Sequence, residues 1–373
     1  MTAPARLPGG RPAVDYSQAP LITIWETTRA CDLACIHCRA SAQTLPDPAQ
    51  LTQEDGYRLL DAVRRFGRSL FVMTGGDPLK RPDIADLFAY AMDRGLVTAL
   101  SPSGTPLLTR DRLEPMVRAG LRTVSISVDG STAAIHDAFR GVPGSFGWST
   151  AGIRVAKELG LEVQINTTVS RYNLDDLSAV ADLATRVGAS RWSVFFLVPT
   201  GRGQASDMVS APEGERVLNW LYDLSRTAPF HVKTTEAQHY RRVAIEREAA
   251  EQGISPAEVL ERSRTAGGRF APGVNSGNGF LFISHRGDIL PSGFLPLSAG
   301  NVKEDDLVRV YREDPVFKRL RDPSQLHGRC ATCPYRVVCG GSRSRAYATT
   351  GDYLAEDPAC PFEPRAGGAA LAA

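Results

Sequence analysis

Six short β-branched or apolar runs, spaced by helical patterns, leave this chain few folds to choose from. They are LITIWETT from residue 21, SLFVMTGG from 69, LVTALSPS from 96, TVSISVDG from 123, EVQINTTV from 162 and WSVFFLVP from 192. Between them lie amphipathic segments such as EDGYRLLDAVRRFG and DRLEPMVRAG, each closed by a glycine where a helix C-cap needs one. Strand–helix alternation at this spacing implies parallel strands joined by crossovers. Over 21–210 the expectation is therefore an α/β fold, an open (β/α)6 partial TIM barrel, with its working rim at the loops after the strand C-termini. After about residue 210 the pattern changes. Residues 211–276 read as a helical linker region, and FLFISHRGDILPSGF reads as a hairpin turning at Arg286, Gly287 and Asp288, inside a smaller domain over 277–365. Residues 1–20 read as an arm or surface strap, and 366–373 as a disordered tail.

The cysteines say where chemistry is to be sought. The chain has seven, and three of them, Cys31, Cys35 and Cys38, follow the first strand at C-x3-C-x2-C with no fourth nearby. A structural zinc wants four ligands and disulfides want an even number, so three thiolates suggest a metal centre with one position left open. The other four, Cys330, Cys333, Cys339 and Cys360, are a complete set for a closed iron–sulfur cluster or a structural zinc. No apolar h-region opens the chain and no run approaches the length needed to span a bilayer, which points to the cytoplasm, where clustered thiols mean metal more often than disulfide. A net charge of +2 gives no sign of a nucleic-acid partner.

The triplet after strand one, followed by five more strand–helix units, resembles the radical S-adenosylmethionine superfamily. Membership implies a [4Fe–4S] cluster on Cys31, Cys35 and Cys38, whose open iron is chelated by S-adenosylmethionine. It also implies reductive cleavage to a 5′-deoxyadenosyl radical, hydrogen abstraction from a substrate C–H, and a flavodoxin- or ferredoxin-type reductant. TGGDP resembles the strand-two motif, usually Gly-Gly-Glu, that receives the methionine ammonium: here Gly75, Gly76 and Asp77. The resemblance places His37, Ser103, Ser127, Arg140 and Leu197 near adenine, ribose or carboxylate. The C-terminal cysteines resemble a SPASM or twitch extension with one auxiliary [4Fe–4S] cluster. Ser292 and Arg343 stand where a second auxiliary cluster would need thiolates. TGGDPL, HDAFRGVPGSF, INTTVSRYN and LVPTGRG resemble the haem and haem d1 biosynthetic branch, which adjoins maturases of ribosomally made peptides. A tetrapyrrole substrate would bring carboxylates, for which Arg202, Arg241, Arg242 and Arg345 are candidates. The rivals are a peptide or other small-molecule substrate and, in another class, a non-catalytic iron–sulfur or zinc protein.

Overall fold

Nine strands make one sheet. The computed structural model describes residues 15–67, 69–265 and 273–364; the expected tail, and most of the expected arm, lie outside these residues. The strands are β1 (Ile22–Glu26), β2 (Leu70–Thr74), β3 (Val97–Leu100), β4 (Thr123–Ser127), β5 (Glu162–Val169), β6 (Arg191–Phe196), β7 (His231–Thr235), β8 (Phe280–Ile283) and β9 (Ile289–Leu290). Their order is β7-β6-β5-β4-β3-β2-β1-β8-β9. Every pair from β7 to β8 is parallel, and only β8 and β9 are antiparallel. From β1 to β7 neighbours in sequence are neighbours in space, as staves of an open barrel require, while β8 returns to pair with β1.

Two expectations are revised. The stretch 211–276, read as a helical linker, contains β7, which adds to β6 with Arg191 opposite His231 and Ser193 opposite Lys233. HVKTT carries little apolar alternation because it is an edge strand whose side chains are largely exposed, so its period was hidden. The C-terminal hairpin forms, turning through Ser284–Asp288, but β8 pairs with β1, Ile22 opposite Phe280, and so extends the barrel sheet.

Outward-facing strand residues make the core. Trp25, Phe71, Met73, Ile126, Ile165, Trp192 and Val194 are buried against Leu59, Leu87, Met116, Ile153, Val180 and Leu218 of the covering helices. The helices start and stop as their sequence asks. Thr52 and Asp55 cap helix Gln53–Arg64 reciprocally, as Ser210 and Glu213 cap Ala211–Thr227. Gly67 and Gly120 follow the helix ends at φ +83° and +112°. The opposite, inward face behaves differently. Ile22, Ile24, Leu70, Val72, Thr74, Gln164, Asn166 and Thr168 all remain partly exposed, so the sheet curls around accessible space.

Candidate functional site

Cys31, Cys35 and Cys38 sit on the loop leaving β1, and neighbouring loops hold that loop by its backbone. Ala34 N donates to Arg140 O at 3.1 Å, Ile36 N to Phe139 O at 3.1 Å, and Cys31 N to Gln43 O at 2.8 Å. From the loop after β6, Arg202 N reaches Cys38 O at 3.0 Å, while its guanidinium donates to Cys35 O at 2.8 Å and Ala42 O at 3.0 Å. A Cβ at Gly201, where φ is +63°, would lie 2.3 Å from Cys38 O, so only glycine permits this approach. The sulfurs also have donors: Leu33 N to Cys31 Sγ and Ala42 N to Cys38 Sγ, both 3.4 Å, and Arg140 Nη1 to Cys35 Sγ at 3.5 Å. Burial pushes the free Cys31 thiol up to about 11, so a thiolate there requires a cation. Three thiols with N–H and guanidinium donors aimed at sulfur fit the ligand set of an iron–sulfur cluster.

The turn after β2 lies against the same loop. Gly76 N donates to Thr28 O and Asp77 N to Ala30 O, each at 2.6 Å, and a Cβ at Gly76 would meet Ala30 O at 2.4 Å. Asp77 is fully buried and both its oxygens are occupied: Leu79 N donates to Oδ1 at 3.1 Å and Thr105 Oγ1 to Oδ2 at 2.6 Å. Burial pushes its carboxyl upward, with these hydrogen bonds opposing. Ser103 Oγ donates to Gly76 O, joining the loop after β3 to the glycine turn.

Arg140, expected near the cofactor, is buried with its Nη2 2.7 Å from Asp129 Oδ2 while Nη1 faces Cys35. Burial works against its charge, and Asp129 and Cys35 outweigh that. Asp129 Oδ1 accepts from Thr168 N at 2.7 Å, which ties β4's exit to β5. His37 packs on Phe139 with ring centroids 4.2 Å apart. Its Nε2 is 4.0 Å from Asp129 Oδ2, and burial, then Arg140, keep the ring neutral. Ser127 pairs in register with Asn166 on the inward face. Leu197 is buried beyond β6, where its carbonyl accepts from Arg345 Nη1 at 3.5 Å. Thr28 and Thr105 were not singled out in sequence, whereas Asp129, with Gly130, reads there equally as a bare turn or a ligand position.

At the other end, Cys330 lies on the short helix Gly328–Thr332, Cys333 ends it, and Cys339 N closes a turn onto Tyr335 O at 2.9 Å. Gly341 N donates to Cys339 Sγ at 3.4 Å. Burial pushes Cys360 up to about 11 and Cys339 further, and a Cβ on Gly341 would lie 3.5 Å from Cys330 Sγ, which sets Cys330 beside Cys339. Tyr335 and Val338 pack these turns on Ile245 and Leu260, a second small core. Among the described residues no three His, Cys, Asp or Glu side chains converge to hold a single metal ion. A cubane does not ask for that, since each thiolate takes a different iron.

Three of the arginines proposed for substrate carboxylates are committed elsewhere. Arg345 makes a buried two-pronged pair with Asp357 at 2.8 and 2.9 Å, Arg242 pairs with Glu215 and Glu246, and Arg202 ties the cysteine loop. Among the described residues Arg241 hydrogen-bonds the backbone carbonyls of Val274 and Val338, and it lies near Cys339.

A parallel open barrel with three thiols after β1 and a Gly-Gly-acid turn after β2 is the architecture of a radical S-adenosylmethionine enzyme. Residues 25–184 match the Radical SAM superfamily, and the chain belongs to that superfamily, whose cofactors are a [4Fe–4S] cluster and S-adenosylmethionine. It is 42% identical over 359 residues to the AdoMet-dependent heme synthase of Nitratidesulfovibrio vulgaris, covering 96% of each chain. It is 30% identical to the pre-heme d1 synthase of Dinoroseobacter shibae, covering 91% of this chain and 85% of that one. Streptococcus suis SuiB bound to S-adenosylmethionine shares the fold, with a TM-score of 0.71, 18% identity and coverage of 92% and 78%. Among the described residues no helix is long and apolar enough to cross a membrane.

Proposed function

We propose that this enzyme removes carboxyl groups from the propionate side chains of an iron tetrapyrrole, forming haem. The observation that carries this is the 42% identity over 96% of the chain to a heme synthase. Cys31, Cys35 and Cys38 hold the S-adenosylmethionine-binding cluster, and Cys330, Cys333, Cys339 and Cys360 hold an auxiliary one. When bound and reduced, the first would supply the electron that splits the cofactor's sulfonium C–S bond, and the 5′-deoxyadenosyl radical so formed would take a propionate hydrogen. The carboxyl would then leave as CO2 with a vinyl group formed, and the one electron left over would pass to a one-electron acceptor. A flavodoxin- or ferredoxin-type protein in the cytoplasm delivers the electron that reduces the cluster.

This chain's residues position and insulate. Arg140 places a buried positive charge against Cys35 and is itself balanced by Asp129. The carbonyls of Gly75 and Gly76 receive the methionine ammonium, with Ser103 fixing the second. His37, Ser127 and Leu197 border the adenosine. Beyond them a cleft of about 600 Å³ opens between Pro199–Gln204, Phe294, Pro296 and Tyr347–Gly351, within the size range of ligand sites.

Anaerobic incubation with iron-coproporphyrin III, S-adenosylmethionine and reductant tests the reading. The expected result is 5′-deoxyadenosine formed together with porphyrin products that have lost carboxyl groups, seen by mass. Cofactor cleavage with no porphyrin binding and no mass loss would turn the reading toward a peptide or another small molecule.

Asp77 gives a narrower test. With both oxygens bonded internally it braces the glycine turn and does not reach outward. Asp77→Ala leaves Leu79 N and Thr105 without their acceptor, at a cost of about 1–3 kcal/mol. Thermal stability should fall, and S-adenosylmethionine affinity should drop about tenfold or more while iron content holds. Unchanged melting and unchanged affinity would show that the turn stands without its carboxylate.

A further inference from the structure

The inner wall of the sheet is divided. On β6, Trp192, Val194 and Phe196 are buried under the helices, Trp192 edge-on to Trp220 at 5.9 Å, so Arg191, Ser193 and Phe195 face inward. Phe195 indeed meets Phe294, from beyond β9, at 6.4 Å. Register then fixes Lys233, opposite Ser193, on the same inner face, beside Gln164 and Asn166 of β5. Across the chamber, the inner positions at the starts of β1, β2 and β8 are apolar, Ile22, Ile24, Leu70, Val72 and Phe280, and only the cysteine-side ends of β1 and β2 bring polar residues, Glu26 and Thr74.

The polar wall carries two cations, Arg191 and Lys233, and among the described residues neither is ion-paired. Arg241, on the helix that follows β7, lies near Lys233 but also near Cys339, whose thiolate would balance it. Arg191 bonds Gln164 Oε1 at 3.3 Å, and Arg241 bonds the carbonyls of Val274 and Val338. Glu162, at the rim of the same face, pairs with none of them. Lys233 is open to water yet surrounded by protein, as a wall residue of a chamber is. Burial, then Arg191 and Arg241, push its ammonium down to about 8. Like charges gathered in an enclosed space are unfavourable unless an anion joins them.

We propose that Arg191 and Lys233 form an anchoring site for substrate carboxylates, facing the apolar part of the wall on β1, β2 and β8, which takes the substrate's flat ring. This rests on the tetrapyrrole reading and adds to it. Arg191 opens β6 and therefore lies at the end of the sheet remote from the cysteines, which follow β1's C-terminal end. The anchored carboxylates are those that remain in the product, and the reacting ones point toward the cysteine rim.

The test is binding of iron-coproporphyrin III to reconstituted protein, read by its visible absorbance, with the porphyrin's tetramethyl ester as the uncharged probe. Lys233→Gln and Arg191→Gln should each weaken acid-porphyrin binding about tenfold or more. Lys233→Arg should stay near wild type, and the ester should bind wild type and variants alike. Melting temperature and iron content report that each variant is folded and loaded. Unchanged acid-porphyrin affinity in folded Lys233→Gln and Arg191→Gln overturns the anchor. If wild type binds no porphyrin, the tetrapyrrole reading falls, and benzene-1,3,5-tricarboxylate decides the site by itself. Thermal protection seen in wild type and lost in Lys233→Gln keeps the anchor, and no protection in wild type removes it.

Discussion

Cys35→Ala should reduce 5′-deoxyadenosine production under dithionite to background while leaving the chain folded. Cys35 is 6% exposed, and its sulfur is the one that Arg140 faces. Removing it leaves two thiolates for a cluster that needs three, and leaves a buried guanidinium balanced chiefly by Asp129. The fold should survive because the loop is held by main chain. Arg202 bonds the carbonyl of residue 35, and residues 34 and 36 bond the carbonyls of Arg140 and Phe139. Iron should fall by about four atoms per chain, and the melting temperature of the metal-free protein should move by only a few degrees. A variant that cleaves S-adenosylmethionine at the wild-type rate would remove Cys35 from the cluster.

What could be read beforehand follows from which signals are local. Strands β1 to β6 announced themselves because their outward faces pack on helices, which writes a period-two pattern into the sequence. The edge strand β7 has little such pattern, since His231 and Lys233 are exposed and its remaining residues are only partly buried. The two cysteine sets were legible because ligand spacing is local. The contact of Arg140 with Asp129 and Cys35 was not, because it joins the loop after β1, the end of β4 and the last turn of helix Ala133–Arg140. Arginine is where sequence reading misled. Arg242 and Arg345 look like free surface charge until Glu215, Glu246 and Asp357 are placed beside them, whereas Arg191 and Lys233 gain their meaning from strand register alone.

Cys333→Ala should separate cofactor cleavage from turnover. All seven cysteines belong to one set or the other, so the reconstituted protein should hold about eight irons as two [4Fe–4S] clusters. The two positions where a further cluster would need thiolates are engaged otherwise. Ser292 is buried with its hydroxyl accepting from Phe294 N at 3.2 Å. Arg343 donates to the carbonyls of Tyr353 at 3.1 Å and Ala355 at 2.7 Å, and its Nη2 rests 3.9 Å from Cys330 Sγ. A guanidinium cannot ligate iron, but it can balance thiolate charge in a partly buried site. A cluster held by all four of these cysteines would leave no iron open for substrate, and its part would be electron transfer or bracing of the small core around Tyr335 and Val338. Removing Cys333 should therefore lower iron to about four per chain. S-adenosylmethionine cleavage should stay measurable, because Cys31, Cys35 and Cys38 lie on the β1 loop and among the described residues no hydrogen bond joins them to this site, while product formation is lost. Iron near twelve in the wild type (about three clusters), or full turnover by the variant, would sink the assignment.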